Sequence, residues 1–212
     1  MPSPTPGSLW IVSAPSGGGK TSLTRALVQR LNQRGIAAAI SVSYTTRAPR
    51  AGEEHGAHYQ FVDEAKFLAM AEAGEFLEHA EVFGRRYGTG LTETGRLLAA
   101  GTELLLDIDW QGARQIKAQR PEALGVFILP PSAAELERRL HGRGQDEPKA
   151  IAARMEAAHA EMRHYDEYDY LIVNDSFEHA LEELQALILA RRLLLPAQRT
   201  RHTALIRELL GR

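Results

Sequence analysis

A chain of 212 residues, 44% of them hydrophobic, is long enough for one well-filled core carrying a smaller inserted lobe. It has no cysteine, which excludes disulfides and thiolate metal sites and fits a reducing cytoplasm, and no apolar run approaches the roughly eighteen residues that a membrane span needs. A net charge of −2 provides no overall positive field to attract nucleic acid, so any anion site has to be local.

Residues 1–8, Met-Pro-Ser-Pro-Thr-Pro-Gly-Ser, lack a basic start and an apolar middle and read as a disordered leader rather than a secretory signal. An apolar strand, Leu9-Trp10-Ile11-Val12, runs through Ser13 into Ala14-Pro15-Ser16-Gly17-Gly18-Gly19-Lys20-Thr21-Ser22 and a helix start. Glycines without Cβ atoms let the backbone curl with its N–H groups inward, and the first helical turn adds unpaired donors and a positive dipole end. Such a nest suits a polyphosphate, and residues 14–22 are the candidate ATP contacts. Lys20 would reach the β- and γ-phosphates, and the Thr21 hydroxyl would take one position on Mg²⁺. The usual G-x-x-x-x-G-K-[ST] spacing opens with glycine; Ala14 stands there instead, small enough to follow where the backbone needs no positive φ.

Apolar residues at Leu23, Ala26, Leu27 and Leu31 predict a helix from Ser22 to Arg34, stopped by Gly35. A strand over Ala37–Val42 leads into Ser43-Tyr44-Thr45-Thr46-Arg47-Ala48-Pro49-Arg50, where hydroxyls and two arginines replace the apolar pattern and mark functional surface. From Gly52 to about Thr92 short strands (Tyr59–Val62, Glu75–Val82, Arg85–Thr89) surround a helix from Asp63 to Ala73, a small α+β lobe inserted between the second and third main strands. A helix over Glu93–Ala100 returns the chain.

Glu103–Asp109 is an apolar run ending in two acids, as a buried parallel strand open at its carboxyl end would read. After a helix at 111–119 comes the strand Gly125–Leu129, stopped by Pro130-Pro131, and then a helix containing Leu136 and Leu140 with Ser132 as its N-cap. Arg138, Arg139 and Arg143 stand near a glycine-flanked break, the composition of a mobile flap. Pro148 opens a helix with Ile151, Met155, Ala158 and Met162 at helical spacing, and Tyr170–Asn174 is the last buried strand. The tail reads as two amphipathic helices, Phe177–Leu195 and Pro196–Leu210, whose apolar faces are open either to intramolecular packing or to a homodimer contact. Strands alternating with helices argue for an α/β fold on a parallel sheet with the glycine loop at its carboxyl edge. The eight histidines show no ligand spacing, so no structural metal is expected.

The chain resembles the guanylate kinases of bacterial type. The resemblance rests on Ser-Ala-Pro-Ser-Gly-Gly-Gly-Lys-Thr at 13–21, Val-Ser-Tyr-Thr-Thr-Arg-Ala-Pro-Arg at 42–50, Gly-Ala-His-Tyr at 56–59 and Glu-Phe-Leu-Glu-His-Ala-Glu-Val-Phe-Gly at 75–84. It continues through Tyr-Gly-Thr at 87–89, Leu-Asp-Ile-Asp-Trp-Gln-Gly at 106–112, Arg-Leu-His-Gly-Arg-Gly at 139–144 and Ile-Val-Asn-Asp at 172–175. It implies a P-loop NTPase core with a parallel five-stranded sheet over residues 9–42 and 93–212, a GMP-binding lobe over 43–92 and a lid over about 139–154. The implied reaction is Mg²⁺-dependent transfer of the ATP γ-phosphate to GMP or dGMP, without nucleic acid or membrane.

Transfer between phosphates needs positioning and charge neutralisation more than proton chemistry, so arginines matter more than a catalytic histidine. By resemblance, Arg47 and Arg50 grip the GMP phosphate, Tyr59 and Tyr87 donate hydroxyl hydrogen bonds to it, and Arg139, Arg143 and Arg154 swing over the transferring group when the lid closes. Guanine offers N1–H and N2–H₂ donors and an O6 acceptor, so a carboxylate and hydroxyls suit its edge. Glu78 supplies the first, Ser43 and Thr89 the second. Asp107 is assigned to the Mg²⁺ side and Asp109 to the GMP side, roles that spacing alone leaves interchangeable, and either acid could instead cap a helix. Asn174 and Asp175 resemble the adenine-facing corner of the family. A sugar-phosphate kinase of the same superfamily would not need the Glu78, Ser43 and Thr89 set, and a non-catalytic binding module would not need Lys20, Thr21 and the lid arginines.

Overall fold

The computed structural model describes residues 5–82, 84–141 and 148–211. Strand β1 (Leu9–Ser13) is buried along its whole length, and helix α1 (Lys20–Gln33) follows the glycine turn with Leu23, Leu27 and Leu31 facing the core. Gly35, at φ 71°, ends that helix in the left-handed region that a residue with a Cβ adopts poorly. After β2 (Ala38–Ile40) the chain forms β3 (Tyr44–Thr45), β4 (Gln60–Phe61), α2 (Glu64–Glu72), β5 (Phe76–Val82) and β6 (Arg85–Gly90). Helix α3 (Leu91–Ala99) leads to β7 (Glu103–Asp107), α4 (Trp110–Gln119), β8 (Leu124–Leu129), α5 (Ala133–His141) and α6 (Pro148–Met162). A 3₁₀ turn at Tyr165–Glu167 precedes β9 (Tyr170–Val173), and α7 (Phe177–Arg192), α8 (Leu195–Arg201) and α9 (Thr203–Leu209) complete the chain.

The main sheet has five strands in the order β2-β7-β1-β8-β9, all neighbours parallel. One face packs on α1 and α7 through Trp10, Val12, Leu27, Leu105, Ile128 and Leu184; the other buries Ile11, Leu104, Leu106, Ile116 and Leu77. The central strands, covered on both faces, read as continuous apolar runs rather than alternating ones, whereas β9, expected to be buried, is an edge of the sheet and buries only Ile172, with Tyr170, Leu171 and Val173 exposed. The second sheet, β4-β3-β6-β5, is mixed: β3 lies parallel to β4, while β6 is antiparallel to both β3 and β5. A third, smaller cluster joins α5 and α6 through Leu136, Leu140 and Ala158. Because the main strands are parallel, Ser13, Asp107 and Asn174 come to the same carboxyl edge of the sheet.

Glu103 is a buried charge in β7, 2% exposed, and it is satisfied from two directions. Trp10 Nε1 donates to its Oε2 at 3.1 Å from the neighbouring strand, and Arg192 Nη1 donates to its Oε1 at 2.8 Å from the end of α7. Sheet and α7 are thereby pinned by one carboxylate.

Several boundaries differ from expectation. Helix α1 begins at Lys20 rather than Ser22, because Gly19 serves as N-cap in a left-handed conformation. Strand β7 stops at Asp107, and Asp109 is the N-cap of α4, its Oδ1 accepting from Gly112 N at 3.0 Å. The tail is three helices, not two: His202 breaks the second, since Leu205, Leu209 and Leu210 stay exposed and no core contact holds that stretch straight. Residues 142–147 of the expected flap, Arg143 included, lie outside the described residues.

Candidate active site

The glycine turn is shaped by two residues in the left-handed region, Gly17 at φ 89° and Gly19 at φ 95°. A Cβ on Gly19 would lie 2.4 Å from Asn174 Nδ2, and that amide donates to Gly18 O at 2.9 Å, so the end of β9 steadies the loop. Ala14 packs against the turn: a Cβ on Gly18 would lie 2.9 Å from its own. Lys20 Nζ is held between Asp107 Oδ1 at 2.7 Å and the Ile108 carbonyl at 3.0 Å, while Thr21 Oγ1 donates to Asp107 Oδ2 at 3.0 Å. Ser16 N donates to Glu161 Oε2 at 2.9 Å, and burial pushes the Glu161 carboxyl above its ordinary value. Pro15 is buried beneath the loop and Ser22 is exposed at the helix start.

Across the cleft stands the second sheet. Glu78 and Thr89 are register partners in β5 and β6, and Thr89 Oγ1 donates to Glu78 Oε1 at 2.5 Å. Glu78 is only 4% exposed. Burial raises its pKa to about 7; the Thr89 hydrogen bond opposes that rise and the charge of Asp109 adds to it. Arg47 Nη2 donates to Glu53 Oε1 at 2.9 Å and Nη1 to the Ala48 carbonyl at 2.7 Å, with its guanidinium 5.4 Å from the Tyr59 ring centre. Glu53 also accepts from Arg50 N at 2.7 Å, and these two bonds hold its carboxyl down at about 2. The Arg50 side chain is exposed.

A cleft of about 310 Å³ lies between these walls, lined by the glycine loop with Lys20 and Thr21 on one side and Ser43, Tyr59, Glu78 and Tyr87 on the other. Asp107, Asp109 and Glu161 also line it. An adjoining cavity of about 280 Å³ shares Thr21, Ser43, Tyr59, Tyr87 and Asp107 and adds Arg47 and Arg50. Thr89 is buried and reaches the cleft only through Glu78.

Arg139, Asn174 and Asp175 are not among the residues that line these cavities, and Arg143 lies outside the described residues. Arg139 Nε donates to Glu135 Oε1 at 2.8 Å and its Nη2 to the Asn174 carbonyl at 3.0 Å, which places it at the end of β9. Arg154 is half-buried on α6. Asn174 is buried against Gly18, and Asp175 is exposed, accepting from Ser176 N at 2.6 Å. Three polar contacts were not among the expected residues: Glu53 on Arg47, Glu161 on the loop and the Ile108 carbonyl on Lys20.

A phosphate-binding loop at the carboxyl edge of a parallel sheet, facing a small lobe with a buried carboxylate, defines a P-loop kinase. The guanylate kinase family model matches residues 7–191. A guanylate kinase from Salmonella choleraesuis is 56% identical over 205 residues, covering 97% of this chain and 98% of that one. One from Yersinia pestis is 55% identical with the same coverage. Among solved structures, guanylate kinase from Anaplasma phagocytophilum superposes with a TM-score of 0.74 at 33% identity, over 91% of this chain and 89% of that one. The chain belongs to the guanylate kinase family.

Proposed function

We propose that the chain transfers the γ-phosphoryl group of ATP to GMP or dGMP, giving ADP and GDP or dGDP. The observation that carries this reading is a single cleft with Lys20 and the glycine loop on one wall and the buried Glu78–Thr89 pair on the other. Polyphosphate chemistry and recognition of a base edge thus face each other across about 310 Å³.

On this reading the loop N–H groups and Lys20 cradle the ATP phosphates. To meet them Lys20 exchanges part of its contact with Asp107 and Ile108 O, and Ser16 N exchanges Glu161 for a phosphate oxygen. Thr21 and Asp107 fit a hard divalent cation, being one hydroxyl and one carboxylate oxygen 3.0 Å apart at the loop, and would be the residues that hold it. Bound there, Mg²⁺ supplies charge neutralisation on the phosphate oxygens.

GMP lies against the second sheet. Glu78, ionised, accepts from N1–H and N2–H₂, Ser43 and Thr89 serve the base edge and the pocket behind it, and Asp109 borders the same side. Arg47, Arg50, Tyr59 and Tyr87 hold the phosphate, whose second ionisation near pH 6 leaves it a competent nucleophile at neutral pH without a base. Adenine presents an acceptor at N1, so AMP leaves Glu78 facing a lone pair, a penalty of about 1–3 kcal/mol per lost partner. Arg139, Arg143 and Arg154 belong to a lid over about 139–154 that adds positive charge and excludes water, and Asn174 and Asp175 border the adenine.

The decisive assay follows ADP release with GMP, dGMP, AMP, CMP, UMP and a sugar phosphate as acceptors. Rapid turnover with GMP and dGMP alone is expected; comparable turnover with AMP or the sugar phosphate overturns the guanine assignment. The reading places the enzyme in the cytoplasm, in keeping with its lack of cysteine, and among the described residues no helix is long and apolar enough to cross a membrane. It extends to a homodimer contact through the tail, where Leu193, Leu195, Leu209 and Leu210 are exposed; sedimentation of the full chain as a monomer at micromolar concentration removes that part.

A further inference from the structure

We infer that Gly112, in the first turn of α4, is a positioning residue for base recognition: its missing side chain is the space in which the Glu78 carboxylate sits. This rests on the reading that Glu78 meets guanine. A Cβ on Gly112 would lie 2.6 Å from Glu78 Oε2, closer than a real Cβ approaches any atom, and 3.1 Å from its Cδ, tighter than nine in ten real Cβ contacts. Nothing about the helix calls for glycine here, since alanine is the better helix former and Gly112 lies outside the left-handed region.

The strand cannot back away to make room. Gln115 clamps β5 to α4 just beyond Glu78, its Oε1 accepting from His79 N at 3.1 Å and its Nε2 donating to His79 O at 2.8 Å. Gln119 Nε2 donates to Leu77 O at 2.9 Å on the other side. On its far oxygen Glu78 is tied to Thr89. Ile108 Cδ1, 3.2 Å from the same Cβ, closes the helix side. The open direction is the cleft, so a methyl group at 112 drives the carboxylate into the space the base needs while leaving the backbone where it is. Asp109, capped onto Gly112 N and bound by Gln111 Nε2 at 3.0 Å, keeps its own geometry.

The test is a double-mutant cycle of Gly112→Ala and Glu78→Ala, read by KM for GMP, KM for ATP, kcat and thermal unfolding. Gly112→Ala alone should raise KM for GMP about tenfold, the loss of one well-made hydrogen bond, with kcat and KM for ATP within about twofold. On the Glu78→Ala background, where there is no carboxylate to displace, the same substitution should change KM for GMP less than about twofold. An unchanged KM in the single variant, or an equal rise on both backgrounds, overturns the proposal. If Gly112→Ala alone does not melt cooperatively, the pair should, because the clash is gone; a pair that also fails to fold overturns the proposal as well. Failure of the underlying reading looks different: Glu78→Ala then leaves KM for GMP unchanged, and both fall together.

Discussion

On the loop side of the cleft the groups offered are main-chain N–H groups and one lysine, set at the carboxyl edge of the main sheet. On the lobe side the groups are side chains of a thin mixed sheet, holding one another: Arg47 by Glu53, Glu78 by Thr89. The first wall is prepared by backbone geometry and is indifferent to which nucleoside carries the phosphates. The second is prepared by burial, which charges Glu78 with a desolvation cost that only a partner with donors can offset. On the proposed function, generic phosphate binding and base discrimination come from different physics, and perturbations should separate them.

The largest effect is expected on the loop wall. Lys20→Ala should lower kcat/KM about a hundred- to a thousandfold for every acceptor alike, with the fold intact by circular dichroism, because Asp107 is partly exposed and tolerates the loss. Retained phosphoryl transfer in that variant would sink the mechanism.

Glu78→Gln should act on the other wall alone, raising KM for GMP about ten- to a hundredfold through lost acceptor capacity while KM for ATP stays put. The same variant should be more stable than the parent above pH 7. The folded pKa of about 7 lies above the ordinary 4.5, so the folded state binds the extra proton between those values and its stability falls as pH rises through that window. The gap corresponds to on the order of 3 kcal/mol, absent below pH 4.5 and full above 7. Urea midpoints of the two proteins at pH 4.5 and 8 check the sign.

A third, smaller effect follows in the parent itself. Between pH 8 and pH 6 Glu78 becomes mostly protonated, so KM for GMP should rise up to about tenfold, a rise that Glu78→Gln flattens and KM for ATP does not share. Smallest is Glu161→Gln, which keeps an acceptor for Ser16 N but removes a charge beside the loop; KM for ATP should fall no more than about fivefold, and a rise would show that the charge itself is needed.

The five core strands were legible because each is an apolar run between turn residues, and the glycine loop because its backbone demands leave a spacing in the sequence. Strand β3 was not: Tyr44 and Thr45 pair only through residues of β4 and β6, so nothing local announces them. Asp109 stays ambiguous in the sequence, because an extended spacing from Asp107 and a helix cap look alike until the turn is seen. Glu161 reaches Ser16 across 145 residues of chain, and an acid in an otherwise mixed helix carries no mark of that contact. Gly112 stood in a motif whose other members had chemistry to explain them; its role is an absence of atoms, visible only once β5 is packed against α4.

Glu103 bears on how the chain comes off the ribosome. Its carboxylate precedes by 89 residues the Arg192 that pairs with it, and breaking such a buried pair costs about 3–5 kcal/mol. A nascent chain short of Arg192 leaves that carboxylate with the Trp10 hydrogen bond and without its cationic partner. Synthesis has to pass Arg192 before the sheet that carries the glycine loop gains this ion pair, whatever the state of the lobe made earlier.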